Sequence, residues 1–202
     1  MSTRPSSRAE PRIAASPAIA LAATVGLGRS GQTVDELDGP GALGRWLVDR
    51  RADLGDEGPD TALRVAEFRS LRDAVDELLA AVVDGRPLPL AAVAGVNETA
   101  ASAPLSIRLD VSDPGRPAVR EAVAAGSRTA AILAAIARSV IELVGGPDRE
   151  RLHRCDAPRC GRFFLGERRG VRWCSAACGN RARVARHHAR RRASTLGQRP
   201  TL

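Results

Sequence analysis

Four cysteines in the last quarter of a 202-residue chain, at positions 155, 160, 174 and 178, constrain this sequence more than any other feature. They follow C-x4-C-x13-C-x3-C in "CDAPRCGRFFLGERRGVRWCSAAC", and the 154 residues before them contain no cysteine. A secreted disulfide scaffold spreads its bridges through the fold, so this clustering points to one local site. Two close pairs separated by a hairpin-length insert suit a closed tetrahedral Zn2+ site, because each pair reaches the ion from a tight turn at about 2.3 Å. A disulfide or redox pair, or another metal, are the alternatives the spacing leaves open.

The insert fits the metal reading. "RFFL" and "VRW" are short apolar runs flanking "GERRG", whose glycines suit a hairpin turn, and Gly161 directly after Cys160 lets the backbone fold back as a knuckle. Phe163, Phe164 and Trp173 are the expected core of this small module. Such a module buries too little to hold itself together, whereas zinc supplies about 10–16 kcal/mol of folding free energy. With Cys155, Cys160, Cys174 and Cys178 closing the shell, the metal is structural, and His187 and His188 are not needed as ligands.

Charge points to a partner. Residues 151–202 hold 14 of the 31 basic residues, all arginine, against only Asp156 and Glu167, while residues 1–150 are mildly acidic. A basic end on an acidic body suggests that the end meets a polyanion. Ser175 is placed to cap a helix that contains Cys178 and runs through "GNRARVARHHARRR". At about 100° per residue, Arg183, Arg186 and Arg190 form one stripe with His187 beside it. Together with Asn180 and Arg181 these are the candidate nucleic-acid-binding residues. Aromatic platforms for single-stranded bases are scarce, which favours duplex DNA over RNA. The competing reading is a zinc-finger interaction module that binds RNA or an acidic protein partner.

The body reads as helical. Residues 65–83 set Val65, Phe68, Leu71, Val75, Leu78, Leu79 and Val82 at steps of three and four. Pro40 opens another helix, with Asp38 as its expected cap and Leu43, Trp46 and Leu47 on one face, and Pro89 opens a third. A longer helical pattern is expected from Ala118 to Val144, burying Val119 and Val123 as well as Ile132, Leu133, Ile136, Val140 and Leu143. Only residues 104–111 alternate as a strand does, with Leu105, Ile107 and Leu109 on one side. The predicted fold is mainly α: a helical N-terminal domain with at most a short β element, plus a small C-terminal zinc finger of knuckle, β-hairpin and helix. The expected boundaries are a disordered 1–12, a helical domain over 13–146, the finger over 147–193 and a disordered 194–202.

Catalytic motifs are missing: no Gly-x-Ser-x-Gly, P-loop, His-Glu-x-x-His or dinucleotide fingerprint stands in the chain, and no histidine precedes His153. Asp73, Asp76 and Glu77 fall on the solvent side of their helix. The chain therefore reads as no enzyme. Arg4, Arg8 and Arg12 before "IAASPAIALAATVGLG" imitate a secretory leader, but Glu10 and the Ser16-Pro17 break argue against export. No apolar run approaches the ~20 residues that span a bilayer. The expected location is the cytoplasm, with no membrane partner and with a homodimer compatible with the reading.

The run from Cys155 to Arg192 resembles the CGNR zinc finger, whose motif stands here as Cys178-Gly179-Asn180-Arg181. Upstream, "DELDGPGALGRWL", "LRDAVDELLAAVVDGRPLP", "VNETAASAPL" and "ARSVIELVGGPDRERLHRC" resemble the ABATE domain of bacterial stress-induced transcription regulators. The resemblance implies a zinc-dependent, DNA-binding regulator with the four cysteines at the family's metal positions. Two departures stand out. Many members place one more residue between the last two cysteines, and members commonly carry an Asp and an Asn-Thr where this chain reads Ala20 and Ala23-Thr24.

Overall fold

The computed structural model describes residues 16–28, 30–50, 54, 64–113, 115–123, 127–167 and 170–196. The expectations for residues 1–12 and for the leader-like arginines lie outside them.

The apolar stretch near the start forms α1 (Pro17–Ala22), a single-turn-and-a-half helix opened by proline, with Ala18, Ile19, Ala20, Leu21 and Ala22 all buried. A helix apolar on every side belongs inside a protein, and this one lies against α3 (Val65–Val83) and α5 (Arg128–Gly145). The Ala18 amide donates to Ser139 Oγ of α5 at 3.0 Å, satisfying a first-turn N–H that has no partner within the helix. α2 (Pro40–Asp49) buries Leu43, Trp46 and Leu47 as its spacing predicts. Its N-cap is Gly39, with no side-chain cap, so Asp38 does not cap it. In α3 the buried residues Phe68, Leu71, Val75, Leu78 and Leu79 follow the predicted stripe, and Asp73, Asp76 and Glu77 are exposed. α4 (Leu90–Ala101) follows Pro89 and packs on α3 and α5.

The largest departure from the sequence reading concerns residues 118–123. They form not the start of a helix but β4 (Ala118–Val123), antiparallel to β3 (Leu105–Asp110), with Leu105 opposite Val123 and Asp110 opposite Ala118. The intervening turn is held by the Asp110 carboxylate, which accepts from the Ser112 amide and hydroxyl, and by the Arg116 amide donating to the Asp113 carbonyl. Once that turn reverses the chain, strand pairing satisfies backbone groups that a helix beginning at 118 satisfies only internally. Val119 is consequently 72% exposed rather than buried, as are Ile107 at 76% and Leu109 at 69%. The helix begins only at Arg128 and buries Ile132, Leu133, Ile136, Val140 and Leu143.

A polar tie runs through the core. Arg72 lies on the apolar face of α3, and its guanidinium donates to both carboxylate oxygens of Asp35 at 2.7 and 3.0 Å and to Thr24 Oγ1 at 3.2 Å. Asp35 ends β2 (Thr33–Asp35), which pairs with β1 (Val25–Leu27). Arg69 adds a bond to the Leu37 carbonyl at 2.6 Å and stands 3.2 Å from Asp35. The hydrogen bond from Arg72 holds the Asp35 carboxyl below the ordinary carboxylate range, against the upward push of its burial. Arg72 and Arg69 from α3, Asp35 from the hairpin and Thr24 after α1 thus tie these elements together.

The first finger strand, β5 (Leu152–Arg154), follows a short 3-10 turn over Pro147–Arg151 and pairs antiparallel with β6 (Phe163–Leu165). The expected pairing of "RFFL" with "VRW" is therefore replaced by pairing with the segment upstream of the first cysteine. Residues 171–173 are not a strand; they lie alongside the knuckle, where the Asp156 amide donates to the Arg172 carbonyl at 3.0 Å. Successive side chains of a strand point to opposite faces, and β6 uses both. Phe163 and Leu165 join Leu152 in the main helical core, while Phe164 packs with Cys155, Cys174 and Cys178. The expected three-aromatic core of the finger thus keeps Phe164 and Trp173 and loses Phe163 to the larger domain.

Removing the acid of the polar tie leaves a buried cation uncompensated. Asp35→Asn is expected to lower unfolding free energy in urea by about 3 kcal/mol, while Asp73→Asn, at an exposed partner 3.6 Å from Arg72, changes it by less than about 0.5 kcal/mol. Because the Asp35 carboxyl titrates lower folded than unfolded, its contribution is complete above the ordinary carboxylate value and disappears as pH falls below about 4. The stability difference between wild type and Asp35→Asn should narrow over that acid range; a constant difference would contradict the assignment.

Candidate metal centre and basic helix

The cysteines come together from three pieces of chain. Cys155 follows β5, Cys160 ends a turn closed by its own amide donating to the Ala157 carbonyl at 3.0 Å, and Cys174 and Cys178 flank the start of α6 (Ala176–Leu196). The knuckle needs left-handed backbone at Arg159 (φ 61°) and Gly161 (φ 66°), and glycine at 161 adopts it without steric cost. The Cys155 amide donates to the Arg162 carbonyl at 2.8 Å, closing the knuckle onto the hairpin.

All four sulfurs lie within 4.8 Å of one another. Cys160 to Cys174 is 3.6 Å, Cys174 to Cys178 is 3.4 Å and Cys178 to Cys160 is 3.7 Å. A tetrahedron of sulfurs about 2.3 Å from a central Zn2+ has edges of about 3.8 Å, so these spacings fit one ion. All four cysteines are free in this structure. Cys155, Cys174 and Cys178 are buried and Cys160 half-buried. Four sulfurs in such a shell leave no open coordination position, so the zinc is structural and its chemistry is to hold the fold.

The surroundings prepare the sulfurs for that charge. The Cys174 amide donates to Cys155 Sγ at 3.4 Å, and Arg181 Nη2 donates to Cys178 Sγ at 2.9 Å. Ser175 Oγ accepts from the Cys178 amide at 3.2 Å, the predicted cap of α6. Burial pushes the Cys160 and Cys174 thiols upward. Burial also raises Cys178, but hydrogen bonds from Ser175 and the neighbouring thiols outweigh it and bring that thiol down to about 7. Cys178 also stands in the first turn of a helix, where the dipole favours an anion.

Residues 151–191 match the CGNR zinc finger, and residues 15–147 match ABATE, described as "Putative stress-induced transcription regulator". The chain belongs to the ABATE family. A search of curated proteins returns no match. ABATE and the CGNR finger are a regulator family and a zinc-finger family, not enzyme families. Among the described residues no helix is long and apolar enough to cross a membrane.

The six candidate nucleic-acid residues all lie on α6, yet they stand in different settings. Asn180, Arg183 and His187 are exposed along the helix, and Arg190 is exposed near its far end. Arg181 is bonded to Cys178, and the Arg186 guanidinium sits 5.9 Å from the Trp173 ring centre, within cation–π range. Gly179 is buried on the inner side, where an added Cβ would stand 3.4 Å from the Trp173 ring. α6 continues to Leu196, three residues past the predicted end of the finger. Sequence reasoning missed the Arg72–Asp35–Thr24 tie of the ABATE domain. The legible signal was Arg72 itself, four residues after Phe68 in an otherwise apolar stripe.

Freshly purified, reduced protein should contain one zinc per chain by elemental analysis, and Cys174→Ser markedly less. A full equivalent in that variant would mean that the sulfur cluster is not what holds the ion. Because Phe163 belongs to the helical core, Phe163→Ala should cost about 3–5 kcal/mol in urea unfolding of the whole chain while leaving zinc content at one.

Proposed function

We propose that this ABATE protein is a transcriptional regulator that binds duplex DNA through α6. The observation that carries the reading is a helix seated on a structural metal centre and exposed over nearly all of its length after Ala182. Its residues 180–192 include six arginines and two histidines, and the chain contains no acid after Glu167. Such a helix is polar all round, so packing against this chain does not account for it. A polyanion does: arginines release counterions from phosphates and offer paired donors to base edges.

On this reading Asn180, Arg183, His187 and Arg190 face the nucleic acid. With the helix at about 100° per residue they occupy one arc of about 80°. Arg186, held over Trp173, stiffens the edge of that surface. The ABATE domain supplies regulation or self-association, and the protein acts in the cytoplasm. The family description supports a regulator, and the scarcity of exposed aromatic rings supports duplex over single-stranded nucleic acid.

Titration of a duplex at several salt concentrations tests the proposal. Engagement of about four phosphates predicts that log K falls with log salt at a slope near −3.6. Arg183→Ala with Arg190→Ala should reduce that slope by about 1.8 while zinc content stays at one. Binding that ignores salt, or tighter retention on RNA or on an acidic protein than on duplex DNA, would replace this reading with an interaction module.

A further inference from the structure

We infer that Arg181 is a positioning residue of the metal centre rather than part of the nucleic-acid surface: its guanidinium holds the Cys178 sulfur and tunes that thiolate's grip on the ion. The geometry carries this. Cys178 and Arg181 stand three residues apart on α6, a spacing that brings side chains onto neighbouring positions of one helix face, and Arg181 Nη2 is 2.9 Å from Cys178 Sγ. The two residues are the first and last of the Cys-Gly-Asn-Arg motif, so the motif contains a ligand and the donor that serves it.

Charge gives the contact its purpose. Four thiolates around a divalent ion carry a net −2 in a shell where three of the four cysteines are buried. Burying that charge is costly unless fixed donors and cations face it. The first turn of α6 supplies its dipole, the Cys174 amide donates to Cys155 Sγ, and Arg181 adds a full positive charge and a directed N–H to Cys178 Sγ. Partners of this kind orient metal ligands and commonly change metal affinity by about 10–100-fold. On the helical wheel Arg181 lies about 100° from Asn180 and about 160° from Arg183, away from the arc proposed to meet DNA.

The inference rests on the zinc centre and stands whether or not α6 binds DNA, so its test begins with the metal. Full-length wild type, Arg181→Ala, Arg181→Gln and Arg183→Ala are challenged with a chromogenic zinc chelator. Arg181→Ala and Arg181→Gln are expected to release zinc at about tenfold lower chelator concentration, and Arg183→Ala at the wild-type concentration. In the cobalt-substituted proteins, loss of the N–H···S bond raises the energy of the sulfur donor electrons. The thiolate-to-cobalt absorption of the Arg181 variants should therefore move to longer wavelength, a shift that general loosening of the fold does not produce. Should Arg181→Ala fail to fold, Arg181→Gln decides alone, since its uncharged amide ends two bonds short of the Arg181 Nη2 that reaches Cys178 Sγ. Wild-type zinc retention and an unmoved cobalt band in the folded Arg181 variants would overturn the inference. So would a zinc-loaded Arg181 variant whose DNA salt slope falls by about 0.9, because that change marks a lost phosphate contact.

Discussion

Convergence of four sulfurs on one ion is the constraint around which the carboxyl-terminal third of this protein is arranged. The knuckle, the strand pair and the first turn of α6 each bring one or two cysteines, and no one of them buries enough apolar surface to be stable alone. The metal joins them. Seating Cys178 in the first turn of α6 also fixes the direction in which a 21-residue helix leaves the body. A helix that is arginine-rich and polar on all sides gains little from packing, so its orientation comes from its anchored end.

The centre is joined to the rest of the molecule through the β5–β6 pair. In β6, Phe163 and Leu165 enter the core built by α1 to α5, while Phe164 faces the cysteines. A strand with apolar residues on both faces has no solvent side, which is why the finger lies against the ABATE domain rather than swinging on a linker. The Thr24–Arg72–Asp35 tie occupies that same helical domain, joining the end of α1 and the β1–β2 hairpin to α3. In the tie's vicinity Ala20 is buried, and Thr24 accepts from Arg72.

Much of the helical fold and the four sulfur ligands of the metal centre could be read from residue order. Apolar spacing in α2, α3 and α5 places the same residues inside that the structure buries, because helical period is a local property. The cysteine spacing and Ser175 likewise act over a few residues. The misreadings share a cause. Residues 118–123 were expected to be helical, and "RFFL" was expected to pair with the segment after it. In both cases the pairing partner lies at a distance along the chain, and nothing within a short window distinguishes one partner from another.

Side-chain partnerships divide along the same line. The order of residues is enough to say that this chain has a four-cysteine metal centre, a helical body and a cationic final helix, since each follows from composition and spacing within a short segment. What each arginine of the helix contacts is not contained in that order. Arg181, Arg183 and Arg186 are the same residue type within six positions and all three are exposed, yet one meets a sulfur and one lies over an indole. Their environments are created by Cys178 and Trp173, whose own places depend on the assembled centre. Only the packed molecule separates the arginines of the metal from those left for a partner.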